Sequence, residues 1–270
     1  ALQQLPLQHQ HRADALVGDD ELLDDGRSGA LGDGQRVGAG VVAAGGGGVG
    51  GEDREDGPAG AGRTLADYDR PSVAVDVALL TVADDALAVL LHERTGEHET
   101  GRWALPGTFL HVDETLAQAA LRALRDKAGV TGHRPDQLGV LDRVDRDSRG
   151  RVLSVAHVDL VPVGSLPTID DGRTLRPVTE LVDGGLPFDH DEIVARAVRW
   201  ARDLHRLDPD PRGLLGPEFT LLELQRLHEA VAGTELQKDT FRRTMIGALD
   251  ETGTLSRGGV GKPARLFRKS

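Results

Sequence analysis

The stretch that decides the fold is GTFLHVDETLAQAALRALRDKAGV, residues 107–130. It begins as a glycine-containing loop and continues with apolar residues at helical spacing. Gly129 follows them as a residue type that often ends helices, because it readily adopts positive φ. The pattern predicts a helix from Glu114 to Ala128. A loop that leads into a helix bearing acidic and basic side chains is typical of sites that bind phosphate groups through a divalent metal.

Length, composition and charge limit the kinds of protein this can be. The 270 residues leave room for two ordinary domains. Cysteine is absent, which excludes a disulfide framework, a thiolate metal site and a thiol nucleophile. The net charge of -12 argues against non-specific nucleic-acid binding by the chain as a whole. No apolar run approaches the roughly 18 residues that span a bilayer, so we expect no membrane partner and a cytoplasmic location.

The chain divides into three predicted segments, residues 1–66, 67–186 and 187–270. The first holds 16 of the 35 glycines and no aromatic residue, so it buries too little apolar surface to offset its chain entropy. We therefore predict a disordered Gly-rich tail. A further hypothesis is that this tail is not native and that the biological start lies near Asp67, because patterned sequence begins abruptly there.

The second segment, residues 67–186, has the pattern of one α/β domain. SVAVDVALLTV and ALAVLLHER predict two strands around a turn at Ala83, Asp84 and Asp85. The 107–130 stretch supplies the helix. LGVLDRV and RVLSVAHVDLVPV then predict two more strands around the charged turn DRDSRGR. Strands and a helix mixed in this order indicate a sheet with a helical layer against it.

The third segment, residues 187–270, predicts a winged helix-turn-helix. Asp189 and Glu192 have the spacing of a capping box at the start of one helix, and Thr220 and Glu223 repeat it at the next. Gly233 is expected to end the second helix. A third helix is predicted over 238–249, and two strands around the glycine-rich turn SRGGVGKP complete the pattern, with a short strand expected at 218–220.

Charge inverts at the C-terminal end, where residues 236–270 hold eight basic and three acidic side chains. A compact basic face on an acidic chain predicts a DNA-binding module. The third helix should enter the major groove and the wing should contact phosphates, while Phe241 and Met245 should pack inward. One module gives little affinity alone, so we expect a homodimer on a pseudo-palindromic double-stranded DNA operator. The candidate DNA-binding residues are Lys238, Thr240, Arg242, Arg243, Arg257, Lys262 and Arg265.

The 107–130 stretch resembles the Nudix box, G-x5-E-x7-R-E-U-x-E-E-x-G-U with U apolar. Glu114, Arg122 and the Gly129–Val130 ending match, and Thr108 takes the glycine position. The other three acidic positions hold metal ligands in working members of the family. Without them, the resemblance implies a degenerate box with no catalytic residues and no metal site. The box positions in question are Glu114, Arg122, Ala123, Asp126 and Lys127.

Longer motifs extend the resemblance over roughly residues 67–270. RWALPGTFLHVDETL, DRVDRDSRGRVLSVAHVDLVP, LPFDHDEIVARAV and FTLLELQRLHEAVAG, in that order, resemble NrtR-type regulators. These are Nudix-related transcriptional repressors of NAD metabolism. The resemblance implies an α/β (α+β) Nudix-like domain with a mixed sheet, followed by a winged helix-turn-helix domain.

The resemblance also implies an effector, ADP-ribose or a related NAD-derived nucleotide, with no cofactor required. Its diphosphate would need guanidinium donors and its adenine a flat apolar surface. His111, His157 and His190 are not at metal-ligand spacings and are interpreted as structural. The candidate ligand-binding residues are Arg102, Arg143, Arg146 and Arg149 for the phosphates, and Trp103 or Phe109 for the base.

Three functions follow as hypotheses. The leading one is a sequence-specific repressor of NAD biosynthesis or salvage genes, in which ADP-ribose reorients two winged helices and releases the operator. The alternative is an active Nudix ADP-ribose pyrophosphatase with an accessory C-terminal domain. The third is a nucleotide-binding adaptor whose C-terminal module contacts protein. Retardation of operator DNA by the protein would support the repressor, and release of AMP from ADP-ribose would support the pyrophosphatase. DNA affinity that does not change when Arg242 and Arg243 are neutralised would support the adaptor.

Overall fold

The computed structural model describes residues 64–170, 172–181, 185–206, 208–256 and 263–270. The predicted tail up to residue 63 lies outside the described residues, as do Arg257 and Lys262 of the wing. The domain boundaries and the hypothesis of a start near Asp67 stay predictions. None of the helices in the described part of the chain is long and apolar enough to cross a membrane.

A mixed seven-stranded sheet forms the first part of the structure, as predicted. The strands follow the order β3-β2-β1-β6-β5, with β4 paired to β1 and β7 paired to β2. Strands β1 and β6 are parallel and the other pairs are antiparallel. The strands are β1 (Ser72–Ala83), β2 (Ala86–Glu93), β3 (Trp103–Ala104), β4 (Gly107–Phe109), β5 (Asp136–Leu141), β6 (Val152–Leu160) and β7 (Arg173–Pro177).

Positive φ angles at Asp84 and Asp85 form the predicted tight turn between β1 and β2. Most of β1 is buried on both faces because helices cover the sheet on both sides. Helix α1 (Leu116–Ala123) packs on one face against Val77 and Leu79. Helix α2 (His190–Leu204) packs on the other.

Helix α1 is shorter than the predicted helix from Glu114 to Ala128. It begins at Leu116 because Thr115 and Gln118 form a reciprocal capping box. Its C-terminal end continues as a π-helical turn, Leu124–Ala128, and stops at Gly129 with φ 70°. The prediction that Gly129 ends the helix is confirmed. The predicted start at Glu114 lies two residues before the observed start at Leu116.

The capping box predicted at the start of α2 does not form. Asp189 is the N-cap residue, but its side chain makes no capping hydrogen bond. Both of its carboxylate oxygens accept hydrogen bonds from Arg146 instead. That prediction was wrong because a partner 43 residues away in sequence binds the carboxylate.

The C-terminal residues form the predicted winged helix. At the start of the second helix predicted for this segment, Thr220 and Glu223 form the predicted capping box. Gly233 ends that helix at φ 74°. The next helix stops at Met245, earlier than predicted, and Leu249 already pairs with Lys269 in the small sheet β8-β10-β9. The elements are β8 (Phe219–Thr220), α3 (Leu221–Ala232), α4 (Lys238–Met245), β9 (Leu249–Leu255) and β10 (Arg265–Lys269).

One continuous apolar core runs from the large sheet into the winged helix. Ile193 and Ala197 of α2 are buried in the same cluster as Leu80 of the sheet and Phe241 of α4. Phe241 and Met245 face inward, as predicted. Helix α2 therefore joins the two parts of the described structure mechanically, because its buried apolar side chains belong to a core that both parts share.

Candidate functional site

A polar cleft of about 240 Å³ opens beside the start of β1 and the N-terminal end of α2. Gly107 of β4 forms part of its wall, and a Cβ atom there would lie 2.0 Å from Asp76 Oδ1, so only glycine fits. The charged and aromatic residues that line the cleft are Asp76, His92, Arg94, Phe109, Lys127, Arg146, Asp147, Arg149, Phe188 and His190.

A buried ionic network forms the floor of the cleft. Arg146 donates from Nε and Nη2 to the two oxygens of Asp189, at 2.8 and 2.5 Å. Ser154 donates to Asp76 at 2.6 Å, and His190 Nε2 lies 3.4 Å from the other Asp76 oxygen. Burial raises the pKa of Asp76, but His190, Ser154 and Arg146 together hold it below its ordinary value. The Asp76 carboxyl is therefore ionised near neutral pH, and Arg146 is the cation that it shares with Asp189.

Two arginines and two phenylalanines stack at the side of the cleft. The Arg149 guanidinium lies 5.1 Å from the Phe109 ring centre and 5.5 Å from that of Phe188, and Arg94 lies 5.0 Å from Phe188. Asp147 binds Arg149 through both carboxylate oxygens. Phe188 has φ 59°, a conformation that non-glycine residues adopt at an energetic cost and that recurs at functional sites.

The predicted ligand residues separate into two groups. Phe109, Arg146 and Arg149 line the cleft. The others are elsewhere: Arg102 pairs with Glu99, the Trp103 ring packs beside the core, and the exposed Arg143 pairs with Asp145. The structure does not bring Arg102, Trp103 or Arg143 to the cleft.

Sequence reasoning missed Arg94, Phe188 and the part that His190 takes in the cleft wall. Arg94 directly follows a buried strand, which was the available signal. Nothing local marks Phe188, whose placement depends on its positive φ and on contacts with Arg94 and Arg149. His190 packs its ring against Phe188 at 5.5 Å and accepts a hydrogen bond from the Leu105 N–H.

The box residues Glu114 and Arg122 hold the loop before α1. Arg122 donates to both Glu114 oxygens, to the Thr108 hydroxyl at 2.7 Å and to the Phe109 carbonyl at 2.8 Å. Hydrogen bonds from Arg122 lower the pKa of Glu114 to about 2. Thr108, which departs from the box pattern, thus gains a partner that glycine lacks. Neither Glu114 nor Arg122 lines the cleft.

The second candidate site is the outer face of α4. Lys238, Thr240, Arg242 and Arg243 are all exposed there, opposite the buried Phe241 and Met245. Glu229 of α3 accepts hydrogen bonds through its carboxylate from Gln225 of the same helix and from the Leu236 N–H in the turn before α4. This fixes α4 against α3 as the protruding helix of a helix-turn-helix.

The wing supports the same surface in part. Arg265 on β10 is exposed and pairs with Glu251 at 3.0 Å. Arg257 and Lys262, the other predicted wing residues, lie outside the described residues. The roles of Lys238, Thr240, Arg242, Arg243 and Arg265 at DNA stay predictions that are consistent with exposure.

The fold and the two sites define a class, a Nudix domain joined to a winged-helix DNA-binding domain. Models of two protein families match: a NUDIX domain over residues 70–201 and the NrtR DNA-binding winged helix domain over residues 211–268. The chain belongs to the NrtR family. The Nudix match extends into α2, and the winged-helix match begins after it.

Individual relatives agree with this assignment. The chain is 32% identical over 210 residues to the "ADPR responsive transcriptional repressor NtrR" of Acinetobacter baylyi, covering 75% of this chain and 84% of that one. A crystal structure of Shewanella oneidensis NrtR complexed with a 27mer DNA has a TM-score of 0.63 and 31% identity, covering 73% of this chain and 93% of that chain. An ADP-ribose pyrophosphatase of Methanocaldococcus jannaschii is 33% identical over 137 residues, 49% of this chain and 76% of that protein.

Proposed function

We propose that this protein is a sequence-specific transcriptional repressor whose DNA binding responds to ADP-ribose in the cleft. The observation that carries the proposal is the winged helix of the NrtR family joined to a Nudix-type cleft through α2 and one shared core. The relative in Acinetobacter baylyi is an ADPR responsive repressor and spans most of this chain. NAD biosynthesis or salvage genes are the proposed targets, with the cytoplasm as the proposed location.

The outer face of α4 is the proposed DNA-reading surface. In support, the similar Shewanella oneidensis protein was crystallised with a 27mer DNA. The exposed side chains Lys238, Thr240, Arg242 and Arg243 are a lysine, a threonine and two arginines, types that bind base edges and phosphates. A homodimer is proposed, because two modules on a pseudo-palindromic site supply the affinity that one module lacks.

The Nudix box is proposed to be non-catalytic. Its remaining carboxylates, Glu114 and Asp126, are each bonded to an arginine. Ala123 offers no ligand atom, and Lys127 brings a positive charge. Among the described residues, no group of three or more acidic, histidine or cysteine side chains could hold a metal ion.

The test is a mobility-shift titration with double-stranded DNA selected from random sequence by the full chain. We expect retardation at low salt and a concentration-dependent change of affinity with ADP-ribose, with NAD and NMN as competitors. Replacing Arg242 and Arg243 by Ala should weaken binding by about tenfold or more. Arg134→Ala, an exposed arginine of the Nudix domain, is the matched control and should bind normally. DNA affinity unaffected by the α4 double variant would point to the adaptor hypothesis.

The second candidate is an ADP-ribose pyrophosphatase, favoured by the identity to the Methanocaldococcus jannaschii enzyme. Release of AMP from ADP-ribose with Mg²⁺, abolished in Glu114→Gln, would establish it. We expect no AMP, because Glu114 is bonded to Arg122 rather than directed into the cleft.

A further inference from the structure

The metal that Nudix hydrolysis employs does not fit the residues present here. A hard divalent cation needs several oxygen ligands. Two carboxylates line the cleft, and both are already bonded: Asp76 to Ser154 and His190, and Asp147 to both ends of the Arg149 guanidinium. Glu114 and Asp126 of the box are bonded to arginines and do not line the cleft.

Four side-chain cations line the same cleft, and they differ in whether they have a counterion. Arg146 is paired with Asp189 and lies 3.7 Å from Asp76, and Arg149 is paired with Asp147. Lys127 and Arg94 form no salt bridge with any carboxylate of the described residues. The Arg94 guanidinium donates to the His98 carbonyl and stacks on Phe188. Among the described residues, the cleft therefore holds two cations that have no carboxylate within salt-bridge distance, although Asp76, Glu99 and Asp147 act on Arg94 from further away.

Lys127 reaches the cleft from the π-helical turn that follows α1. It and Arg94 also act together on a neighbour. Burial, and to a lesser degree the charges of Lys127 and Arg94, lower the pKa of His92 to about 4. His92 is thus neutral near pH 7 and adds no charge. The unpaired charge of the cleft at that pH comes from the two longer side chains.

We propose that Lys127 and Arg94 bind the diphosphate of the ligand directly, so that this site binds its ligand without a divalent metal. The inference rests on the proposed function, in which the cleft binds ADP-ribose. A diphosphate diester carries one negative charge on each phosphate, which matches the two unpaired cations. Lys127 occupies a position of the box that carries a metal-binding acid in the hydrolases, so its ammonium replaces the metal as the counterion of the ligand.

The test is calorimetric titration of the full chain with ADP-ribose, in EDTA and in Mg²⁺. The wild type should bind equally well in both. Lys127→Ala and Arg94→Ala should each weaken binding by about tenfold or more, because each removes a charged hydrogen bond. Lys127→Arg should retain most of the affinity. Arg134→Ala is the matched control, because it removes an exposed cation that does not line the cleft and should leave ADP-ribose affinity unchanged.

Inorganic pyrophosphate is the second probe and separates the two proposals. If ADP-ribose fails to bind under either condition but pyrophosphate binds in EDTA and is lost in Lys127→Ala, the proposed effector is wrong and the cation site stands. If ADP-ribose binds only with Mg²⁺, or binds Lys127→Ala as tightly as the wild type, the cation site is wrong and the proposed effector stands. An unchanged melting temperature of each variant shows that its fold is intact. We expect this for Lys127→Ala because the Lys127 side chain is exposed.

Discussion

The two ends of α2 are held by opposite kinds of chemistry. Its N-terminal end lies in the ionic floor of the cleft, where Asp189 is bonded to Arg146 and His190 faces Asp76. Its C-terminal end is held by edge-to-face contacts between rings. The His205 ring lies 5.3 Å from that of His228, which lies 5.0 Å from Phe241 of α4.

The difference shows which end can respond to a ligand. Charged side chains at the N-terminal end lie beside an open cleft, so an anion bound there changes the electrostatic energy of Arg146, Asp76 and Asp189. At the C-terminal end, burial lowers the pKa values of His205 and His228, and near neutral pH both rings are uncharged. The 15 residues of α2 span roughly 22 Å between these ends. A shift at the cleft would thus reach α4 through a rigid helix, the coupling that the proposed function requires.

The largest effect is expected from removing the cation of the ionic network at the N-terminal end of α2. Arg146→Ala leaves Asp189 and Asp76 buried without their cation, and the free energy of unfolding should fall by about 3–5 kcal/mol in urea denaturation. Arg143→Ala is the matched control, because it removes an exposed arginine whose partner Asp145 is also exposed. That control should lose less than about 1 kcal/mol. Equal losses in both variants would show that the buried network does not stabilise this end of α2.

The same comparison explains what the sequence could predict. Features set by neighbouring residues were predicted correctly: the β1–β2 turn, the Gly129 and Gly233 helix ends, and the Thr220–Glu223 capping box. Asp189 and Glu192 have the same spacing, yet Asp189 is bonded to a distant arginine. Local spacing does not encode a competitor 43 residues away.

The candidate site follows the same rule. The box motif and its lost acids were readable from sequence. Of the candidate ligand residues, Phe109, Arg146 and Arg149 line the cleft, and their roles toward a ligand stay predictions. Arg102, Trp103 and Arg143 share the same residue types but lie elsewhere, because which arginines meet in a cleft depends on strand pairing and loop course. The position of the Phe188 ring also depends on its positive φ angle, which the neighbouring residues in the sequence do not predict.

The second prediction concerns pH at the aromatic end. In the unfolded chain a histidine titrates near its ordinary pKa of 6.5, whereas burial lowers the folded pKa of His228 and His205. Between those values the unfolded state binds more protons, so stability is retained above pH 6.5 and falls as the pH decreases below it. Each such histidine contributes a slope of up to about 1.4 kcal/mol per pH unit.

His228→Gln tests this contribution, because glutamine keeps a donor for the Pro209 carbonyl that His228 contacts at 2.7 Å. Urea denaturation between pH 7.5 and 5 should show a shallower decline for the variant, and His92, His157 and His205 leave a residual slope of the same sign. His111→Gln is the control, since this ring is exposed. If the free energy of unfolding depends on pH equally steeply in His228→Gln and in the wild type, the pKa of His228 does not differ between the folded and unfolded states.

The smallest expected effect tests the local cap that α3 has and α2 lacks. In Thr220→Ala the Glu223 N–H loses its acceptor, and the free energy of unfolding should fall by about 1 kcal/mol. Thr234→Ala, an exposed threonine after α3, should change it little. Because Thr220 and Glu223 bond reciprocally, the double alanine variant should lose less than the sum of the single losses. If the loss in the double variant equals the sum of the two single losses, the two hydrogen bonds stabilise the helix independently. The Thr220–Glu223 pair would then not act as one cooperative unit at the start of α3, as the Arg146–Asp189 pair does at the start of α2.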